Sequence, residues 1–204
     1  MGVCVRKISK SKWPPEEVLQ EKSDEEILPF LKADALTSCL RTSKDELSLW
    51  TVENTSEVEI KKAILALITN SRLERLDRIQ VVYFEENDVE NLGLTLKKSP
   101  GDTVISNYTD LHQDMTGLTY DKMGKVSKLI TSAIRDKRVK KYKEKELGDM
   151  LLEAIKSGLV EQKKLHMLLQ HKLGLNVINS HGESMVLDEN DNFVRVEIVS
   201  THSE

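Results

Sequence analysis

Apolar positions near the start of the chain recur with a period of two. Val3 and Val5, then basic residues, then Ile8, predict a short strand with a basic flank, and Trp13-Pro14-Pro15 stops it. Residues 16–32 are acidic and mixed. Ser23 with Glu26 forms a capping-box pattern ahead of Ile27 and Leu28, and Pro29 confines that helix to about one turn. The segment reads as surface-running, pinned by Ile27, Leu28, Phe30 and Leu31. Residues 35–42 and 46–52 read as two strands joined by the polar link Ser43-Lys44-Asp45. In the second, Leu47, Leu49 and Thr51 share one face while Ser48, Trp50 and Val52 share the other. Both faces carry apolar groups, as a central strand requires.

The period then changes to that of a helix. Ser56 is a suitable N-cap with Glu59 three residues on, and Ile60, Ala63, Ile64, Leu67 and Ile68 follow at helical spacing. The run Ile79 to Phe84 is continuous, apolar and β-branched, which predicts an inner strand covered on both faces. Strand, helix, strand in this order predicts a parallel, right-handed crossover. Asp88 to Leu92 fits a single helical turn closed by Gly93. Ser99-Pro100-Gly101-Asp102 is a strong turn signal and the natural boundary.

Beyond residue 100 the pattern is mainly helical. One helix is expected from Asn107 or Thr109 through Leu111, Met115 and Leu118, bent near Gly117. A second is capped by Thr119 and carries Met123, Val126, Ile130, Ala133 and Ile134. A third runs from about Lys145 to Lys156, ahead of Gly158. A fourth carries Val160, Leu165, Leu168, Leu169 and Leu173 and stops at Gly174. The tail returns to short strands around turns at His181-Gly182 and residues 189–192, with Val194, Val196 and Ile198 alternating with Arg195 and Glu197.

These patterns predict an α+β protein. Residues 1–100 form an α/β region with a small mixed β-sheet and one main helix, and residues 101–204 form a helical region ending in a β-hairpin. No flexible linker separates the two, which permits one shared core. Composition narrows the class. Of 204 residues, 39% are apolar, 31% charged and 4% aromatic, which suits a packed core. No run of eighteen apolar residues occurs, so no membrane span and no membrane partner is expected. The N-terminal stretch lacks a signal-peptide core, so the expected location is cytoplasmic. Cys4 and Cys39 have no CxxC partner and are read as buried free thiols. Arg41 beside Cys39 is the only local hint of an activated thiol.

Charge supplies the first candidate site. The formal charge is −4, yet residues 135–145 carry seven Lys or Arg against two acids, leaving −9 for the remainder. A solvated face is the plain reading of such a run. A contact with phosphates or with an acidic protein surface is the functional one. The candidate partner-binding residues are Trp13, Arg135, Lys137, Arg138, Lys140, Lys141 and Lys143. Asp110, His112 and Asp114 form the second candidate. On a helix Asp110 and Asp114 share a face and His112 points away; on a strand they align. As catalytic groups they are weak, since acids at a helix start also answer the helix dipole. Arg41 and Asp102 complete the groups near the Pro100 to Thr103 turn. His166 and His171 are five apart and do not converge on a helix. No P-loop, GxGxxG, HExxH, GxSxG or zinc-finger spacing occurs, and no cofactor or metal site is indicated.

The functional expectation is a non-catalytic cytosolic interaction protein: a subunit, an adaptor, or an antitoxin- or immunity-like partner of another protein, or a homo-oligomer. One alternative is an enzyme acting on a nucleotide or nucleic acid, with its site between the two halves. Another is a winged-helix-like nucleic-acid binder built from residues 145–199. The acidic wing, residues 188–192, and the apolar candidate recognition helix argue against DNA reading.

Overall fold

The computed structural model describes residues 2–40, 42 and 44–196. Arg41, Ser43, Glu197 and Ile198, and the side chain of Leu28, lie outside the described part. Strand β1 (Val3–Ile8) leads through a 3-10 turn at Lys10–Lys12 to helices α1 (Glu16–Glu21) and α2 (Asp24–Ile27). A π-helical turn at Ala35–Cys39 precedes β2 (Leu47–Val52), α3 (Glu57–Ile68), β3 (Ile79–Glu85), α4 (Glu86–Asn91) and β4 (Thr95–Lys98). A 3-10 turn at Ser106–Leu111 is followed by β5 (His112–Thr116), α5 (Tyr120–Arg135), β6 (Val139–Tyr142), α6 (Glu144–Lys156) and α7 (Met167–Lys172). The hairpin of β7 (Met185–Leu187) and β8 (Phe193–Arg195) ends the described chain.

The fold is α+β. Six strands form one sheet in the order β4-β5-β2-β1-β3-β6, and β7 and β8 pair separately. Every neighbouring pair in the large sheet is antiparallel. Since β2 and β3 both run against β1, they are parallel to each other. The crossover through α3 therefore keeps its expected parallel sense but steps over β1. Val3 sits level with Val52 on one side and Glu85 on the other. The sheet takes four strands from before residue 100 and two from after it.

Alternation along each strand sends side chains to two separate cores. On one face Val3, Val5, Trp50, Val52 and Val81 meet Ile60 and Ile64 of α3, Leu147 and Leu151 of α6, and Leu169 of α7. On the other face Cys4, Leu47, Leu49, Phe84 and Met115 meet Val126, Ile130 and Ile134 of α5, with Leu19 and Ile27 beside them. The sheet is thus a middle layer between helices. Cys4 and Cys39 lie buried as free thiols. Burial foremost, then the carboxylates of Glu86, Asp88 and Glu85, pushes the Cys4 thiol far above its ordinary pKa, which suits packing rather than reactivity.

The helix starts follow local capping chemistry. Ser23 and Glu26 exchange side chain-to-backbone bonds at 2.9 and 3.4 Å, completing the capping box of α2. Ser56 accepts from the Glu59 N–H at 3.4 Å, but the Glu59 carboxylate reaches the Glu53 N–H at 3.2 Å instead of Ser56. Asn54 has already taken the Ser56 N–H at 2.9 Å in an Asx turn.

Four segments depart from the expected pattern. Residues 35–39 coil rather than extend. Thr37 and Ser38 hydroxyls donate back to the carbonyls of Ala33 and Asp34, four residues earlier, which holds a helical turn. His112–Thr116 is a strand, since Met115 is needed on the sheet's inner face opposite Leu47 and Leu96. The basic run ends α5, turns at Lys137 (φ 58°) and forms edge strand β6. The fourth predicted helix shrinks to a 3-10 turn at Gln162–Lys164 and α7. Buried Gln170 ties this region together, donating to Leu165 O and Ile178 O and accepting from Ile178 N–H, each at 2.9 Å.

Arg6 is the main polar tie across the sheet. Its guanidinium donates to Ser48 O on β2 and, from Nε and Nη2 at 3.3 and 2.7 Å, to Cys39 O in the π-helical turn. Burial pulls its pKa down, and the carbonyls supply the compensating partners. Arg6→Met is expected to lower unfolding stability by about 1–3 kcal/mol, because two carbonyls lose a charged donor. Arg6→Lys should not restore it, since one ammonium cannot match the forked geometry. Chemical denaturation of the two variants beside the parent measures both effects, and full rescue by lysine would disprove the fork.

Candidate functional site

The strand ends build the first site. β1 exits, β3 enters and β6 exits at the same end of the sheet, because the three are consecutive and antiparallel. Apolar patterning stops there and charge takes over. Lys7, Arg78, Lys141 and Lys143 stand at or beside the strand ends, and Lys32 arrives from the segment after α2. Together they line an open cleft of about 740 Å³. Its walls include Trp13, Pro14, Pro15, Ile79 and Tyr142. All five cations are exposed, and among the described residues no carboxylate lines the cleft. Asp77 and Glu144 border a neighbouring depression, shared with Arg78 and Lys143. In a chain of net charge −4, this concentrates positive potential at one end of the sheet.

The wall is rigid. Trp13 is buried, with its Nε1 lacking a hydrogen-bond partner. Tyr142 is buried too. Its hydroxyl donates to Glu57 at 3.4 Å, and burial foremost, then Glu57, pushes its pKa upward. Neither ring is free to stack on a ligand. The start of α6 also opens toward the cleft, but Glu146 already accepts the Lys143 N–H at 2.6 Å. Side-chain cations, not helix amides, define the site.

The basic run divides its labour. Lys141 and Lys143 face the cleft together with Trp13. Arg135 instead caps α1, donating to Leu19 O at 2.6 Å and Lys22 O at 3.2 Å. Arg138 pairs with Asp136 at 3.0 Å and Asp88 at 3.5 Å, and Lys140 with Glu57 at 3.2 Å. Lys137 occupies the left-handed turn position. Lys32 and Arg78 join the cleft without any local signal, and Lys7 comes from the basic flank of β1.

The second cluster lies on β5 and β2. As neighbours two apart on a strand, His112 and Asp114 share a face. The Ser99 hydroxyl donates to Asp114 Oδ2 at 2.5 Å and so accepts from His112 Nδ1 at 2.9 Å. Ser48 donates to Asp114 Oδ1 at 2.9 Å. His112 packs edge-on to Trp50, ring centroids 5.2 Å apart. Asp110 is exposed in the preceding 3-10 turn, and Asp102 accepts from Asn70 at 2.6 Å. Serine, not histidine, occupies the middle of this chain of bonds. An imidazole that donates from Nδ1 cannot take the serine proton there, so the order suits holding a loop rather than activating a nucleophile. The loop is held closely. A Cβ on Gly101 would fall 2.4 Å from the Trp50 ring, so only glycine lets residues 99–111 lie on β2.

The segment behind the winged-helix reading folds as α6, the 3-10 turn, α7 and the hairpin. α7 spans six residues and buries Leu169 and Gln170. Among the described residues no group of three His, Cys, Asp or Glu is placed to hold a metal ion, and no helix is long and apolar enough to cross a membrane. Comparison with protein-family models, with curated proteins and with solved structures finds no match.

Partial burial raises the Asp114 pKa, but the hydroxyls of Ser99 and Ser48, then His112 and Lys97, outweigh it and leave the group below its ordinary value. A carboxylate with a depressed folded pKa stabilises the fold above its unfolded pKa of about 3.9 and loses that contribution as pH falls through the folded value. Asp114→Asn is therefore expected to lower stability at pH 7 and to narrow the gap from the parent at pH 3. Denaturation midpoints at the two pH values test this. An undiminished gap at pH 3 would assign the effect to lost packing.

Proposed function

We propose that this is a non-catalytic interaction protein that receives an anionic partner in the basic cleft at the end of its sheet. The observation that carries this reading is the set of five exposed cations, Lys7, Lys32, Arg78, Lys141 and Lys143, around a cleft with no lining carboxylate. Surface cations are ordinarily interspersed with acids, as Lys140 and Glu57 are here at 3.2 Å. The five repel one another, and an anionic ligand relieves that repulsion. The cleft's volume falls within the range of ligand and peptide sites. Its walls are prearranged by buried Trp13 and Tyr142, so binding orders little besides lysine side chains. The biological setting this suits is a cytosolic subunit or adaptor.

Heparin serves as a generic polyanion. At pH 7.5 and low salt the parent protein is expected to be retained on a heparin column despite its net charge of −4. The triple variant Lys7→Glu, Lys141→Glu, Lys143→Glu should flow through while keeping the parental circular dichroism, since all three side chains are exposed. The parent should elute earlier as salt rises, through screening and counterion release. Equal retention of parent and triple variant would dismiss the cleft as the anion site.

A further inference from the structure

We infer that the anionic partner is an acidic polypeptide segment, which adds to the open side of β6 as a seventh strand and lays its carboxylates into the cleft. This rests on the basic-cleft reading and goes further by naming the partner's chemistry and its mode of attachment.

The hydrogen-bond phase of β6 carries the argument. The Tyr83 N–H donates to Arg138 O at 3.1 Å. Tyr83 and Arg138 continue the register in which Val82 faces Val139 and Val81 faces Lys140. In an antiparallel pair, bonded and non-bonded positions alternate. Arg138, Lys140 and Tyr142 thus direct their backbone groups toward β3, while Val139 and Lys141 direct theirs away. Among the described residues the sheet order ends at β6, so those outward N–H and C=O groups have no strand of this part of the chain beside them. They form a short, regular template for an incoming extended chain.

Side-chain chemistry selects what that chain carries. Lys141 is both an outward-facing backbone position and a lining residue of the cleft. Lys143 lies two residues beyond it, and Arg78 stands beside Ile79, which faces Tyr142. A strand paired with Val139 and Lys141 therefore sets its own side chains against Lys141 and, continuing past the end of β6, runs over Lys143 and Arg78. Lysines on an edge repel basic strands, are costly to bury beneath apolar ones, and favour acidic ones. Lys140, whose side chain alternates with that of Lys141, is already paired with Glu57, so its charge is balanced. The other edge strand, β4, lacks this combination: its Lys97 faces Asp114 across the sheet. Single-stranded nucleic acid fits less well, since the two aromatic rings of the wall are buried and offer no face for base stacking.

The test uses the full chain and a fluorescent peptide of about eight residues alternating Glu and Val. Binding is read by anisotropy, and backbone amide exchange is read by NMR. The peptide is expected to bind and to slow exchange at Val139 and Lys141 by about tenfold or more, with Lys140, already bonded to β3, changing little. The same peptide N-methylated along its centre keeps its charge but loses its donors, and should bind about tenfold more weakly. The pair Lys141→Glu, Lys143→Glu should weaken binding at least as much. Equal binding of the methylated peptide, unchanged exchange at Val139 and Lys141, or tighter binding of a single-stranded oligonucleotide of matched charge would each overturn the inference. If heparin is retained but the peptide does not bind, the basic-cleft reading stands and strand addition falls. If neither binds, both fall.

Discussion

Burial of the Val3–Val5 half of β1 on all four sides is the constraint on which the rest of the structure depends. It is bonded along both edges, to β2 and β3, and its two faces send Val3 and Val5 into one core and Cys4 into the other. Across Val3–Val5 the backbone is paired on both edges, while Arg6–Ile8 pair with β3 alone, and these ladder bonds are made wholly with chain that follows far later. Val3 pairs with Glu85, so the first strand waits for the third before its edges close. The price is a fold rich in non-local contacts, which slows folding but produces a sheet whose centre cannot slip in register without exposing a core.

From that centre the sheet grows outward, and its ends acquire different characters. On the β4 side, charge is balanced. Asp114 faces Lys97 and accepts from Ser48 and Ser99, so a carboxylate there is held by neighbours. On the β6 side, positive charge accumulates without balance. Both follow from strand ends being where apolar runs stop and chain direction reverses. The antiparallel order places the ends of β1, β3 and β6 together, and a lysine or arginine stands at or next to each of these ends. In an acidic chain this basic cleft polarises the surface field, which acts beyond contact distance on the anionic partner proposed above.

The polar residues that look chemical in isolation do mechanical work here. Ser99, His112 and Asp114 clasp the 99–111 loop to the sheet, and Gly101 lets that loop lie on Trp50. Arg6 binds three elements through two carbonyls, and Gln170 does the same for the segment leading to the hairpin. Each is a partly or fully buried polar group whose hydrogen bonds specify one arrangement of backbone.

Much of the element pattern was legible in the sequence, since period and capping are local. Val3 and Val5, Leu47 to Val52, Ile79 to Phe84, the Ser56 and Thr119 helix starts and the glycine stops at Gly93, Gly158 and Gly174 all report short-range physics. Elements shaped by tertiary demand were not legible. His112–Thr116 reads as helical by spacing, yet becomes a strand because β2 and β4 need a partner between them. Val139–Tyr142 reads as a charged link, yet closes the far side of β3. Candidate chemistry divides the same way. Lys141 and Lys143 stood out as part of a charge run and Lys7 as part of a basic flank, whereas Lys32 and Arg78 carry no such signal, and only the topology gathers them all. Sequence alone determined which stretches extend, coil or stop, because those preferences act over a few residues. The tertiary structure alone decided which strand lies beside which, and so where charges from distant stretches of chain meet, because that depends on burying both faces of β1 at once.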